Sequence, residues 1–447
     1  MKKDSIYLIL LILLVLVFFS KVILHPHSVL YSQNSDYVQA HFPLRYAIVN
    51  DFEQYHDVPL WLNLDLGFPF LYLYGYPLEW PLLLFPGLGG YEYILHFLIL
   101  TIGCFYFGKK ISLSPYAAFV SAIIVTFSLR VVAHLYAGHS TIVFTFAYIP
   151  WLFLAAELII EKRKVVFALL LAIPLYLALA AEHIHIFFYT SFMLCFYILL
   201  RLIVLYTNNI KMYAKPLLCV GIAFLIAVLC SAPVIYKYAD FSLYHTRAGG
   251  KDLGFSSTTS MHVTNIISLF LPTFFGTPLH YWGFTGNFWE GALYIGLLTI
   301  ILIIFALRLV RNEHILTFSA LALFSLIFAF GTNTPLYMLF HNFIPGFAYF
   351  RAPSRMIIFF AFFGAFLAGF GLDEFFSLKS RVFKSFILKI WTIIMTLAVI
   401  TTLLLLAFKN QFLLYGQSLL HYYILKNMLL QKLFNSFHFH IIKSRFL

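Results

Sequence analysis

The chain has 447 residues, of which 62% are hydrophobic, 20% are aromatic and only 10% are charged. This composition excludes a water-soluble globular protein and indicates a polytopic membrane protein. The formal net charge of +12 is what basic cytoplasmic loops produce, so we interpret it as a topology signal and not as a nucleic-acid surface.

Apolar stretches of bilayer-spanning length divide the chain into about eleven predicted transmembrane helices. The first, Ile6–Ser20, follows two lysines, and no small-residue cleavage site comes after it, so we predict an uncleaved span. The others run over residues 92–108, 116–133, 141–160, 165–181, 187–206, 216–235, 291–307, 315–331, 356–372 and 385–407. We therefore predict an all-α polytopic membrane domain over residues 1–407 and a basic, weakly apolar tail over residues 408–447.

Basic residues in the short loops predict the orientation of these helices. They cluster near residues 2–3, 109–110, 162–164, 211–215, 308–311 and 379–384, which all fall on one side by parity. Because retained loops carry Lys and Arg, this side and the N-terminus are predicted to be cytoplasmic in a multi-pass protein of the cell membrane. The long segments 25–91, 236–290 and 332–355 would then be external. Their many Trp, Tyr, Phe and Pro residues predict short interfacial helices and turns.

Asp36, in "SDYVQAHFP", is the acidic residue closest to the first span on the predicted external side. Acidic groups near hydrocarbon are costly unless they are paired or solvated, which makes them functional candidates. We predict that Asp36 is the catalytic residue, either as a general base for an attacking hydroxyl or as a ligand of a divalent cation. The alternative is that Asp36 caps a short interfacial helix beginning at Tyr37.

Three arginines of the external segments are candidates for binding the phosphate of a donor. Arg351 and Arg355 lie four residues apart in "FRAPSRM", and Arg247 lies in a loop with two following glycines nearby. A planar fork of N–H donors suits phosphate oxygens. Snorkelling to lipid headgroups is the alternative for Arg351 and Arg355, and an ordinary solvated loop is the alternative for Arg247.

Four further residues are candidate substrate or metal contacts: His139 in "AGHS", Glu182 and His183 in "AEHIHIFFY", and Glu290 in "EGALYIGLL". Their spacing is not the i, i+4 histidine pair that makes zinc motifs specific. A divalent metal therefore stays open, and the sequence assigns no cofactor. The sequence also contains no phosphate-binding glycine loop of a nucleotide site, which favours a donor other than a soluble nucleotide.

The order of these motifs resembles that of the YfhO-like membrane proteins of the GT-C glycosyltransferase superfamily. The resemblance covers roughly residues 1–372, and its most specific elements are "SDYVQAHFP" and "FRAPSRM". It implies a GT-C-like enzyme that takes a sugar from a polyprenyl-phosphate donor on the external face and transfers it to a glycan, polymer or protein of the cell envelope. By the same resemblance, Asp36 matches the acidic residue near the reaction centre, and Arg351 and Arg355 match the basic motif near the lipid phosphate.

Two other functions stay open. A non-catalytic carrier or flippase for lipid-linked saccharides would need the phosphate-binding arginines and an apolar groove but no base. A non-catalytic membrane subunit would tolerate replacement of the polar loop residues. We therefore expect the role of Asp36 to distinguish an enzyme from a carrier.

Overall fold

The computed structural model of the protein describes residues 2–26, 30, 32, 35–56, 61–62, 68–69, 76–79, 89–207, 209–236, 239 and 252–377, with a few positions between 385 and 399. The chain divides into two units, Met1–Phe376 and Ser377–Leu447. The predicted tail and most of the predicted span 385–407 lie outside the described residues, and so does Arg247.

Helices make up most of the described structure. The α-helices are α1 Lys2–Phe18, α2 Ser20–Leu24, α3 Phe42–Tyr55, α4 Gly89–Lys110, α5 Pro115–Thr126, α6 Leu129–Tyr136, α7 Ser140–Ala147, α8 Ile149–Lys162, α9 Val166–Ala180, α10 Ile184–Tyr206, α11 Ala214–Cys230, α12 Leu253–Ser256, α13 Phe288–Gly291, α14 Leu297–Leu309, α15 Glu313–Ala329, α16 Pro335–Phe343 and α17 Ile357–Ser377. A π-helical turn covers Tyr37–His41, and 3-10 helices cover Ile210–Tyr213, Val263–Leu269, Gly331–Asn333, Phe347–Tyr349 and Pro353–Met356. Two short strands, β1 Trp61–Leu62 and β2 Phe68–Pro69, pair antiparallel with Trp61 opposite Pro69.

Six helices in the described part of the chain are long and apolar enough to cross a membrane, which confirms an all-α membrane protein. They are Gly89–Lys110, Pro115–Tyr136, Ser140–Lys162, Ile184–Tyr206, Ile210–Cys230 and Pro353–Ser377. Four shorter apolar helices, Asp4–Phe18, Val166–Ala180, Leu297–Leu309 and Glu313–Ala329, coincide with four other predicted spans. A helix of this length reaches only about 20–25 Å, whereas the hydrocarbon core measures about 30 Å. The total of eleven spans and the GT-C architecture therefore stay predictions.

The helix predicted over residues 291–307 begins only at Leu297. Gly296 precedes it at φ +98°, a left-handed conformation that favours glycine. The sequence pattern missed this break because the stretch is apolar throughout, and hydropathy does not report a change of backbone direction. Glu290 lies before this break, on the short helix α13.

Aromatic and small residues fill the contacts between the long helices. The Phe107 ring lies 5.4 Å from that of Phe362, which in turn lies 5.2 Å from that of Phe153. Gly371 lies against the backbone of Leu302, where a Cβ would overlap the carbonyl oxygen. Close approach at small residues provides the packing that holds apolar helices together in lipid, where burial from water cannot do so.

Charged contacts join the ends of helices α1, α4 and α8. Lys109 Nζ lies 3.3 Å from Asp4 Oδ1, and Lys110 pairs with Glu161. These helix ends adjoin the basic segments that the charge pattern assigns to one side. Helices α5 and α6 together lead away from this end, so the turn that follows them, at residues 137–139, lies at the opposite end.

Candidate functional site

A tight turn between α6 and α7 holds the segment that carries Asp36. The Asp36 N–H donates to the carbonyl oxygen of Ala137 over 3.0 Å. The next residue, Gly138, has φ +72°, and a Cβ there would lie 2.6 Å from the backbone nitrogen of Tyr37. Two separate reasons therefore favour glycine at this position: the left-handed backbone angle and the close approach of the Tyr37 backbone.

The Asp36 carboxylate contacts His139 and does not cap a helix. Its Oδ2 lies 3.2 Å from His139 Nε2, whereas the turn that begins at Tyr37 receives no side-chain hydrogen bond from it. The hydrogen bond from His139 lowers the pKa of Asp36, burial opposes this effect, and the charge of Arg355 lowers the pKa further. With 58% of its side chain exposed, Asp36 is an ionised carboxylate that a substrate can reach at neutral pH.

A second histidine lies behind His139. His134 is buried in α6, and its Nδ1 lies 2.8 Å from His139 Nδ1. One ring must donate along this contact and the other must accept. When a neutral His139 donates its Nε2–H to Asp36, its Nδ1 accepts from His134, so the three side chains form a hydrogen-bonded row that orients the carboxylate.

Glu290 lies between two arginines at the base of the site. Its Oε1 accepts from Arg355 Nε over 2.9 Å, and its Oε2 accepts from Arg130 Nη2 over 3.2 Å and from Ser354 Oγ over 2.8 Å. Burial alone would raise the pKa of Glu290, but Arg355 and Arg130 lower it to about 2. One carboxylate between two guanidiniums leaves an excess positive charge, and Arg355 is the more exposed of the two arginines.

Arg355 and His183 turn two hydrogen-bond donors towards each other. His183 Nδ1 accepts the Ile186 N–H over 3.1 Å at the start of α10. Desolvation and the charge of Arg355 hold the pKa of His183 well below its usual value, so the ring is neutral and carries its proton on Nε2. This Nε2 lies 3.3 Å from Arg355 Nη1, a nitrogen that only donates.

Arg355 Nη1 carries two protons. One can form a hydrogen bond to His185 Nδ1 at 3.2 Å, and the other faces His183. Two N–H donors therefore converge beside the N-terminus of a long helix, whose dipole also favours negative charge. An anion would complete this arrangement by accepting from both. We refer to the residues of the site together as the polar cluster: Asp36, Arg130, His134, His139, His183, His185, Glu290, Ser354 and Arg355.

The structure thus brings five of the residues that the sequence nominates into one place: Asp36, His139, His183, Glu290 and Arg355. Arg351 is exposed and precedes a turn at Ala352, where φ is +62°. Glu182 has φ +68° and forms the turn into His183. Within the described residues, no group of three or more His, Cys, Asp or Glu side chains could hold a metal ion.

Arg130, His134 and Ser354 were not predicted from the sequence, whereas His185 belongs to the H-x-H stretch of "AEHIHIFFY", whose pattern is compatible with a metal. Arg130 had a visible signal, because a charged residue inside an apolar helix is a functional candidate by default. His134 had none beyond its residue type, since only the packing of α6 shows what it faces. Ser354 lies inside the "FRAPSRM" motif, and its hydroxyl is assigned only by its contact with Glu290.

We compared the chain with models of protein families, with curated proteins and with solved structures. None of the three comparisons gives a match. The assignment of a role to the polar cluster therefore depends on its geometry and chemistry.

Proposed function

We propose that the protein is an integral-membrane glycosyltransferase that takes its sugar from a polyprenyl-phosphate-linked donor and glycosylates an acceptor of the cell envelope. The observation that carries this proposal is the meeting of an ionised, exposed Asp36 with the convergent donors of Arg355 and His183 in one cluster. A base and an anion-binding pair are the two groups that this displacement needs. The apolar helices around them suit a donor carried by a lipid.

In the proposed reaction, Asp36 takes the proton of the acceptor hydroxyl as its oxygen attacks the anomeric carbon of the sugar. The bond between this carbon and the phosphate oxygen breaks, and its electron pair leaves with the phosphate, which inverts the configuration of the sugar. Arg355 and His183 donate to the phosphate oxygens on which the negative charge develops.

His139 and Glu290 hold these groups in position. His139 bonds the Asp36 carboxylate, which fixes the direction of the free oxygen. Glu290 accepts from the Nε of Arg355 and so leaves the far edge of the guanidinium for an anion. Groups held by their neighbours in this way need little rearrangement during the reaction.

The test uses membranes containing the full-length protein and polyprenyl-phosphate carrying a radiolabelled sugar. Release of free polyprenyl-phosphate, with loss of the label from the lipid, is expected for the unaltered protein. Asp36→Asn should slow this release by roughly 10²–10⁴-fold, the usual contribution of one general base. Asp51→Asn, in the same external segment, is the matched control and should retain the activity.

Binding of the labelled donor is measured on the same membranes. Asp36→Asn should still bind it, because the convergent donors remain. A protein that moves the intact labelled lipid between leaflets and releases no polyprenyl-phosphate would be a carrier, which would refute the enzymatic proposal. Loss of activity in Asp51→Asn with full activity in Asp36→Asn would move the base to another residue of this segment.

A further inference from the structure

The segment between α12 and α13 carries a surface that is unusual for a loop. From Leu253 to Trp289 the sequence contains no Asp, Glu, Lys or Arg. Between residues 263 and 274, six apolar side chains are more than a third exposed: Val263, Ile266, Ile267, Phe270, Leu271 and Phe274. We call these six residues the apolar ledge.

The spacing of these residues places them on one side of a helical path. They recur at intervals of three and four residues along the 3-10 helix Val263–Leu269 and the turns after it, which is the spacing of one helix face. The polar side chains point the other way. Asn265 and Ser268 are buried, with Asn265 Oδ1 accepting from the His262 N–H over 3.0 Å and Ser268 Oγ donating to the Asn265 carbonyl oxygen over 2.6 Å.

This arrangement is the reverse of a helix on a water-facing surface, where polar groups lie outside and apolar groups inside. Aromatic rings extend the apolar face beyond the ledge. The Phe274 and Trp282 ring centroids are 5.7 Å apart, and Trp282 and Phe284 are 59% and 65% exposed. Large amphipathic rings of this kind collect where a protein meets the membrane interface.

The ledge continues the surface of α15, one of the shorter apolar helices. Met261, two residues before the ledge, donates its N–H to the carbonyl oxygen of Ala329 over 2.9 Å, at the C-terminus of α15. Along α15, Leu316 and Leu323 are 67% and 57% exposed, as expected of side chains that face lipid. The ledge therefore adjoins the lipid-facing surface at the end of the helices where the polar cluster lies.

We propose that the apolar ledge inserts into the acyl-chain boundary of the lipid leaflet at this end of the protein. Two observations select lipid over a protein partner: the absence of charge along the segment, and the continuity of the ledge with α15. The segment is thus a membrane-docking element and not a loop in water. Its C-terminal end leads through Phe288 and Trp289 to Glu290, so the leaflet and the polar cluster share one connected piece of chain.

The test places a nitroxide spin label at Ile267→Cys or Phe270→Cys in the full-length protein, with Cys104, Cys195, Cys219 and Cys230 replaced by Ala. The variants are reconstituted into phosphatidylcholine nanodiscs. Collision rates are measured with oxygen, which concentrates in lipid, and with a nickel chelate, which stays in water. Leu316→Cys on α15 is the lipid control, and Lys162→Cys at the basic C-terminal end of α8 is the water control.

Both ledge labels should favour oxygen over the nickel chelate by a ratio several-fold above that of Lys162→Cys and close to that of Leu316→Cys. Helical circular dichroism and a single elution peak verify that each variant is folded. A ratio equal to that of Lys162→Cys would overturn the proposal, because the ledge would face water. Low collision rates with both reagents would also overturn it, because another protein surface would then cover the ledge.

Discussion

Replacing Glu290 with Gln should destabilise the protein by about 3 kcal/mol, because this buried carboxylate is the counter-charge of two arginines. Its oxygens accept from Arg355, Arg130 and Ser354 over 2.8–3.2 Å. The pKa of Glu290 falls from 4.5 to about 2, and a shift of this size corresponds to about 3 kcal/mol in favour of the charged form. Gln keeps the volume, but its amide N–H₂ faces one of these donors and leaves a guanidinium uncompensated.

Glu313→Gln is the matched control at the other end of the helices. Glu313 also contacts a buried arginine, with 3.0 Å between its Oε1 and Arg201 Nη2, but its side chain is 47% exposed. Arg201 moreover keeps Glu157 as a second partner. The control should therefore lose less than about 1 kcal/mol. The free energy of unfolding of both variants is measured by denaturant titration in the same bicelles, and equal losses would refute the role assigned to Glu290.

The same carboxylate predicts a pH dependence of stability. Because the pKa of Glu290 is lower in the folded protein than in the unfolded chain, its contribution is complete above pH 4.5 and is lost as the pH falls towards 2. The lowered pKa of His183 adds an earlier loss, which begins as the pH falls through 6.5. In Glu290→Gln the lower phase should shrink and the upper phase should stay. An acid profile identical to that of the unaltered protein would contradict the shifted pKa of Glu290.

Two further predictions concern the donor site and the topology. Arg355→Lys should be partly active and Arg355→Ala less active, because Lys keeps the charge but loses the planar fork. The cost of one charge-assisted hydrogen bond is about 1.5–3 kcal/mol, visible as a higher KM for the lipid donor or a lower kcat per folded molecule. Unchanged kinetics in both variants would exclude a phosphate contact. Asp36→Cys should react with an impermeant thiol reagent added outside cells, whereas Lys110→Cys should not, and the reverse labelling pattern would invert the proposed orientation.

Hydropathy predicts the apolar helices of this chain well, because membrane-crossing length and loop charge are properties of local sequence. The ten predicted spans that fall on described residues each coincide with an apolar helix. The start of α14 was placed too early, since a glycine at φ +98° within an apolar run leaves no mark on a hydropathy profile. The short strands β1 and β2 were not predicted, because each is only two residues long.

The members of the polar cluster were predictable one by one, but their pairing was not. Asp36 and Arg355 stand out as charges at the ends of apolar stretches. The contact of Asp36 with His139 depends on the glycine turn that brings two distant segments together, and no spacing rule reports that turn. Glu290 was nominated as a substrate or metal contact, whereas its two oxygens already accept from arginine and serine donors. Only the packed structure shows that both oxygens of Glu290 already have hydrogen-bond donors.

The Arg130–Glu290 pair also bears on how the protein is made. Arg130 is synthesised 160 residues before Glu290, so its helix reaches the membrane while the chain contains no partner for it. Arg201, by contrast, follows its partner Glu157 by 44 residues and can be neutralised on insertion. A charged residue without a partner is costly in hydrocarbon, so the half-made chain must keep Arg130 near water or in the insertion machinery. Glu290 on α13 then pairs with Arg130 on α6 and holds the earlier helix in position. We expect quality-control proteases to remove an incomplete chain that ends before Glu290.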